Sequence, residues 1–199
     1  MLAAVILSAG QSSRMGTPKA LVDFRGQTFL ARLLEATQHP KIGFVRVVLG
    51  AGDEEIRPAL GLPDEMVILN RDWQRGQLSS IQAGLRGIAA EDIDGMLLCP
   101  VDHPLVSRAL VGALIATFYS DAKPSIVVPT FRGRRGHPVI FSRLLFHELL
   151  AAPDDQGARA VVWAHTSEVA EVPTEEEGVV LNLNDPETLR HARGDGERD

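Results

Sequence analysis

The stretch Leu2-Ala-Ala-Val-Ile-Leu7-Ser8-Ala9-Gly10-Gln-Ser-Ser-Arg14-Met-Gly16-Thr-Pro18-Lys19 decides the fold. A short unbroken apolar run at 2–7 reads as a strand buried on both faces, as in a parallel sheet covered by helices. The polar, glycine-punctuated loop that follows is delivered at the carboxyl end of that strand. Its spacing matches neither common phosphate fingerprint. Five residues separate Gly10 from Gly16 where a P-loop has four, and Thr17 follows where a P-loop has lysine; G-x-G-x-x-G is absent as well. Glycines let successive N–H groups turn toward an anion while Arg14 and Lys19 add full charges. The same residues equally suit a glycine-rich turn carrying two solvated cations.

Working outward, strand-like runs at 44–49, 66–69, 95–99 and 125–128 alternate with helical patterns at 28–38, 53–60, 78–89 and 107–119. That alternation predicts a single α/β domain, a three-layer Rossmann-like arrangement with a mostly parallel central sheet and helices on both faces. Beyond Pro129 the rhythm changes. A basic loop at 131–138 precedes strands at 139–141, 169–172 and 179–181, helices at 143–150 and 158–164, and a last helix after Asn184-Asp-Pro. The domain is expected to span 1–192, with a charged, glycine-rich disordered tail at 193–199.

Composition narrows the function. With 45% apolar and only 5% aromatic residues, aliphatic side chains must fill the core. A net charge of −6 argues against nonspecific nucleic-acid binding, which needs a basic surface, so any phosphate chemistry must be local. The lone cysteine, Cys99, cannot form an internal disulfide, and the first apolar run is too short for a signal peptide or a membrane span. The expected compartment is the cytoplasm.

Ligands of open parallel sheets bind at the carboxyl ends of the strands, so polar residues there are the candidates. Asp102, after the strand at 95–99, faces the same crevice as the first loop. A carboxylate beside bound phosphates calls for a cation between them, and Mg²⁺ favours one or two carboxylates plus phosphate oxygens and water. Capping of the next helix is the competing role for Asp102. Asn184 offers an amide oxygen to the same metal, although Asn184-Asp185-Pro186 is also an ordinary helix start. Asn70, Gly76 and Ser80 bracket a loop-to-helix junction able to read a base edge, with Trp73 between them as a packing residue. Arg132, Arg134, Arg135 and His137, with Asp155 and Arg159 further on, suit an anionic second substrate or a solvated loop. His103 and His137 lack the spacing of a zinc site, no G-x-S-x-G elbow is present, and Cys99 within its strand is a poor nucleophile.

Taken together, these ordered segments resemble the nucleotidyltransferases that activate phosphorylated compounds, most closely the molybdenum cofactor cytidylyltransferases. The resemblance spans nearly the whole chain and rests on 7–19, on Asn70, Trp73, Gly76 and Ser80, and on Pro100-Val-Asp102-His-Pro104. It continues through Gly136-His137-Pro138, Asp155-Gln-Gly157-Ala-Arg159 and Asn184-Asp-Pro-Glu-Thr-Leu189. It implies CMP transfer from CTP to the phosphate of molybdopterin or the molybdenum cofactor, with release of pyrophosphate. Arg14, Lys19 and Asp102 would be catalytic, and Asp102 with Asn184 would hold Mg²⁺. Ser8, Ala9, Gly10, Arg14, Lys19, Asn70, Gly76 and Ser80 would bind the nucleotide; Arg135, Gly136, His137, Asp155 and Arg159 would bind the acceptor. A molybdoenzyme or its maturation chaperone is the implied protein partner. Asn182-Leu-Asn184 departs from the Asp-Ile-Asp usual in the cytidylyl members toward the guanylyltransferases, which in turn carry Gly-Gly where this chain has Ala9-Gly10. The competing readings are a GTP-dependent guanylyltransferase, an enzyme that transfers NMP to a sugar phosphate, and a cofactor-carrying chaperone that does not turn over.

Overall fold

A computed structural model describes residues 1–194. The first strand, β1 (Leu2–Ser8), is buried along its whole length. Its residues divide by parity. Leu2, Ala4 and Ile6 face one core with Phe29, Leu33 and Leu114, and Ala3, Val5 and Leu7 face a second with Ile81, Leu85 and Leu149. Two-sided burial explains the unbroken apolar run, since each fully buried aliphatic side chain stabilises the fold by about 1.5–3 kcal/mol.

The chain continues through a hairpin of β2 (Asp23–Phe24) and β3 (Gln27–Thr28), then α1 (Phe29–Ala36), β4 (Ile42–Leu49), α2 (Asp53–Ala59), β5 (Val67–Leu69) and α3 (Gln77–Ile88). Next come β6 (Gly95–Pro100), α4 (Arg108–Phe118), β7 (Ile126–Phe131), β8 (Arg134–Arg135) and β9 (Val139–Ser142). The chain closes with α5 (Phe146–Ala151), α6 (Arg159–Ala164), β10 (Val169–Pro173) and α7 (Pro186–Arg193). The main sheet runs β10-β7-β9-β6-β1-β4-β5, with β8 paired to β7. Only β9 and the short β8 run against the rest. The single α/β domain with a mostly parallel sheet is therefore as expected.

From β1 the chain builds first toward β4 and β5, then returns to place β6 on the other side of β1. This reversal of strand order opens a crevice at the carboxyl ends of β1 and β6, where ligands of such sheets bind.

Several local expectations differ. Residues 179–181 are not a strand; Glu177–Val179 is a 3₁₀ turn whose Val179 is fully buried. Its carbonyl accepts from the His137 amide at 2.8 Å, so this apolar segment plugs the core edge instead of joining the sheet. The β2–β3 hairpin has Arg25 and Gly26 at its tip, both at positive φ as tight hairpins demand. Arg193, assigned to the tail, is the last residue of α7, and Gly194 caps it in the left-handed conformation. The remainder of that tail, 195–199, lies outside the described residues. Among the described residues no helix is long and apolar enough to cross a membrane.

Candidate active site

β1 and β6 pair in register through Leu7 and Pro100, and the Val101 amide donates to the Leu7 carbonyl at 3.0 Å. The two strands therefore end side by side and release their loops into one crevice. The loop from β1 turns at Ser12 (φ 54°) and Gly16 (φ 70°). The Met15 amide bonds the Ser12 carbonyl at 2.9 Å, and the Lys19 amide bonds Ser12 Oγ at 3.0 Å, closing the loop on itself. A methyl group at Gly10 would meet nothing within 4 Å, so the space over this backbone is open to a ligand.

Lys19 begins a short 3₁₀ turn anchored by buried Ala20. Its Nζ donates to Asn184 Oδ1 at 2.5 Å and lies 3.7 Å from Asp102 Oδ2. Three residues distant in sequence thus meet at one point. The Asp102 carbonyl accepts from the Leu183 amide at 2.9 Å, which ties the segment before α7 to the end of β6. Asp102 caps no helix: Ser107 Oγ caps α4 by accepting from the Leu110 amide at 3.0 Å. Asp185 does cap α7, accepting from the Thr188 amide at 2.9 Å, while Asn184 beside it turns into the crevice. The helix start expected of this segment is thus seen at Asp185, and it leaves the Asn184 amide oxygen at Lys19.

The resulting cleft of about 220 Å³ is lined by Ser8, Ala9, Gly10, Lys19, Ser80 and Asp102, with Trp73 and Gly76 on its wall. Arg14 is not among its lining residues. It is exposed on the loop, and its charge acts on Asp185, next to Asn184. Asn70 also stays out of the cleft. It is buried behind it, and its Nδ2 donates to Ser79 Oγ at 2.9 Å and Ser80 Oγ at 3.0 Å, so it positions the start of α3 and leaves Ser80 to face the cavity.

Two further clefts adjoin the first. One of about 360 Å³ holds His137, Asp155, Gly157 and Arg159; the other, of about 480 Å³, holds Arg135, Gly136, His137, Arg159 and Asp102. Gln77, at the start of α3, borders all three clefts, so they are neighbours around one side chain. Arg135 points partly away, pairing with Glu171 at 2.7 Å.

Residues 4–169 match the MobA-like NTP transferase domain. The chain belongs to that family. A molybdenum cofactor guanylyltransferase of Rhizobium meliloti is 30% identical over 201 residues, which is 95% of this chain and 89% of the relative. A nicotine blue oxidoreductase of Paenarthrobacter nicotinovorans is 33% identical over 142 residues, 68% of each chain. Among solved structures, Rv0371c of Mycobacterium tuberculosis superposes with a TM-score of 0.84 at 26% identity, covering 98% of both chains. It has also been solved as a complex with manganese, which matches at a TM-score of 0.80 and 24% identity over 97% of this chain and 98% of that one.

In this MobA-like domain His103 and His137 form a distinct local environment. Their rings lie 5.0 Å apart between centroids. His103 Nδ1 is 3.2 Å from the Gly178 carbonyl oxygen, which assigns its proton to that nitrogen. Burial lowers its pKa below the ordinary histidine value, opposed by Asp102. His137 is pushed further, to about 4, first by burial and then by His103, with Asp102 opposing. Its Nδ1 is buried without a hydrogen-bond partner. Burial thus favours the neutral form of both rings, and both line the 480 Å³ cleft.

Sequence reasoning passed over Gln77 and Gly50. For Gly50 a signal was present, a glycine directly after the strand at 44–49. A Cβ there would stand 2.6 Å from the Ala9 carbonyl oxygen and 2.8 Å from Trp73 Cβ, so only glycine lets the wall of the 220 Å³ cleft close. Gln77 carries no signal, because nothing in its neighbours distinguishes a cleft-lining glutamine from a solvated one.

Proposed function

We propose that this MobA-like transferase moves CMP from CTP to the terminal phosphate of molybdopterin or the molybdenum cofactor. The observation that carries the reading is the meeting of Lys19, Asn184 and Asp102 beside the open backbone of Gly10. A triphosphate fits there, its oxygens facing loop amides and the Lys19 ammonium. The acceptor phosphate is already an anion, so no general base is needed, and rate comes from positioning and charge stabilisation. Its oxygen attacks the α-phosphorus in line, and pyrophosphate departs toward Lys19, with Arg14 at the rim of the loop as the second cation.

Asp102 and Asn184 direct two hard oxygens at the Lys19 ammonium, a donor set that fits Mg²⁺. Among the described residues no three His, Cys, Asp or Glu side chains group around a point, so the remaining ligands would be phosphate oxygens and water. Such an ion supplies neutralisation of phosphate charge; the manganese complex of the mycobacterial neighbour supports a divalent ion in this fold. The acceptor would lie in the outer clefts, against Gly136, His137, Asp155 and Arg159, with Arg135 swinging from Glu171.

The Ala9 methyl and the Trp73 wall narrow the base end of the cleft and favour a pyrimidine. GTP is the second reading, favoured by the relatives named guanylyltransferases and by Asn184 in place of a carboxylate. Pyrophosphate release from CTP, GTP, ATP and UTP, each with and without molybdopterin, tests both. CTP with molybdopterin should give the fastest release; preference for GTP moves the assignment to guanylyl transfer. No release from any nucleotide would leave a cofactor carrier in place of an enzyme.

A further inference from the structure

The lining of the 360 Å³ cleft includes a contact that the proposed reaction does not use. Arg75 Nη2 donates to Asp154 Oδ2 at 2.8 Å and to Oδ1 at 3.2 Å, and Nε donates to Oδ2 at 3.3 Å. The partners are 79 residues apart in sequence. Arg75 closes the 3₁₀ turn Trp73–Arg75, one residue ahead of the glycine that starts α3. Asp154 sits in the turn before α6, which the Gly157 amide closes on the Pro153 carbonyl at 2.9 Å. Both side chains line the cleft that also holds His137 and Arg159, and both are about half exposed, at 53% and 47%.

Two physical points set the meaning of this pair. A planar guanidinium gripping two carboxylate oxygens uses the same forked geometry with which arginine grips two oxygens of a phosphate. An ion pair this exposed is held weakly, because water and salt screen it, so an anion of higher charge can take the carboxylate's place. Arg159 adds a second cation within the same cleft and has no ion-pair partner among the described residues.

We infer that Arg75 is a phosphate-binding residue of the acceptor cleft, and that Asp154 occupies it in the ligand-free molecule as a built-in stand-in which an incoming phosphomonoester displaces. This rests on reading the 360 Å³ cleft as the acceptor side. It adds a residue from the nucleotide-facing turn to the acceptor's contacts, and it makes vacancy a self-neutralised state.

The two single substitutions should act in opposite directions. Binding of inorganic phosphate to the full chain, followed by calorimetry in a Lys19→Ala background that removes competition from the triphosphate cleft, needs no turnover. Asp154→Asn should tighten phosphate binding about fivefold, the range of an exposed ion pair. Arg75→Ala should weaken it about tenfold, and the double substitution should follow Arg75→Ala. If the pair were merely a strap holding the turn at 153–157, both single variants would loosen the cleft and weaken binding alike. That result, no gain in Asp154→Asn, or a gain that survives in the double variant overturns the inference. Failure of the cofactor assignment would leave this measurement unaffected, and failure here leaves the nucleotide cleft as described.

Discussion

Lys19 is the residue on which the site turns, since one ammonium touches an amide oxygen from the far end of the chain and faces a carboxylate from its middle. Removing either charge should lower turnover by about 10²-fold, the scale of one preorganised electrostatic contact. We therefore expect Lys19→Ala and Asp102→Ala each to lose about two orders of magnitude in kcat in a pyrophosphate-release assay; near-normal rates in both would remove the mechanism. Arg14→Ala should cost less than Lys19→Ala, because Arg14 stays on the rim beside Asp185. His137 supplies a pH prediction with a definite sign. Its imidazole is held near 4 against an ordinary value of 6.5, so the unfolded chain takes up the proton first as pH falls. Stability is present in full above 6.5 and is lost from there down to about 4. Denaturant melts of His137→Asn should show a flatter profile across that window, the residual slope belonging in part to His103; an unchanged slope would mean that the ring is not held neutral. Lys19 and Asp102 were legible in the sequence because strand ends announce them. The exclusion of Arg14 and Asn70 from the cleft was not, since side-chain direction in a loop follows from bonds such as Ser12 Oγ to the Lys19 amide, which spacing does not encode.

At the scale of elements, the site depends on how closely its walls approach. Gly50→Ala would push a methyl against the Ala9 carbonyl and Trp73, at a cost of about 1–3 kcal/mol for overpacking. Because the strain falls on the wall of the 220 Å³ cleft, where we propose that the nucleotide binds, the KM for the nucleotide should rise more than the KM for the acceptor. Equal rises would point to general loosening. The start of α3 gives a companion test. Asn70→Ala leaves Ser79 and Ser80 without their shared donor and should cost about 1–3 kcal/mol, read as a lower denaturant midpoint, together with weaker nucleotide binding. Apolar spacing located these helices nearly to the residue, as with α2 and α3. The stretch at 179–181 misled because an apolar run that plugs a core edge as a turn has the same composition as a strand.

For the molecule as a whole, ligand binding should appear as stability. A nucleotide at a hundred times its Kd adds about 2.7 kcal/mol, which for a chain of this size raises Tm by roughly 5–10 °C. In the presence of Mg²⁺ the largest shift should come from CTP, and equal shifts for all four nucleotides would show that the base is not read. The sheet's parallel character was visible in the β-α alternation, and the crevice followed from it. Which strands are neighbours was not visible, because pairing joins segments such as β6 and β9 that lie forty or so residues apart, and local pattern carries no record of such partners.

The reversed direction of β9 keeps the residues of the outer cleft apart from those of the inner one. Since β9 runs opposite to β6 and β7, its first residues emerge at the same rim where those strands finish, so the segment 131–138 borders the 480 Å³ cleft through Arg134, Arg135, Gly136 and His137 and supplies no residue to the 220 Å³ cleft. The charges of this segment can thus be exchanged without altering the three side chains that meet at Lys19. Grafting a relative's 131–138 segment onto this scaffold should therefore transplant acceptor preference and leave the choice of nucleotide where it was.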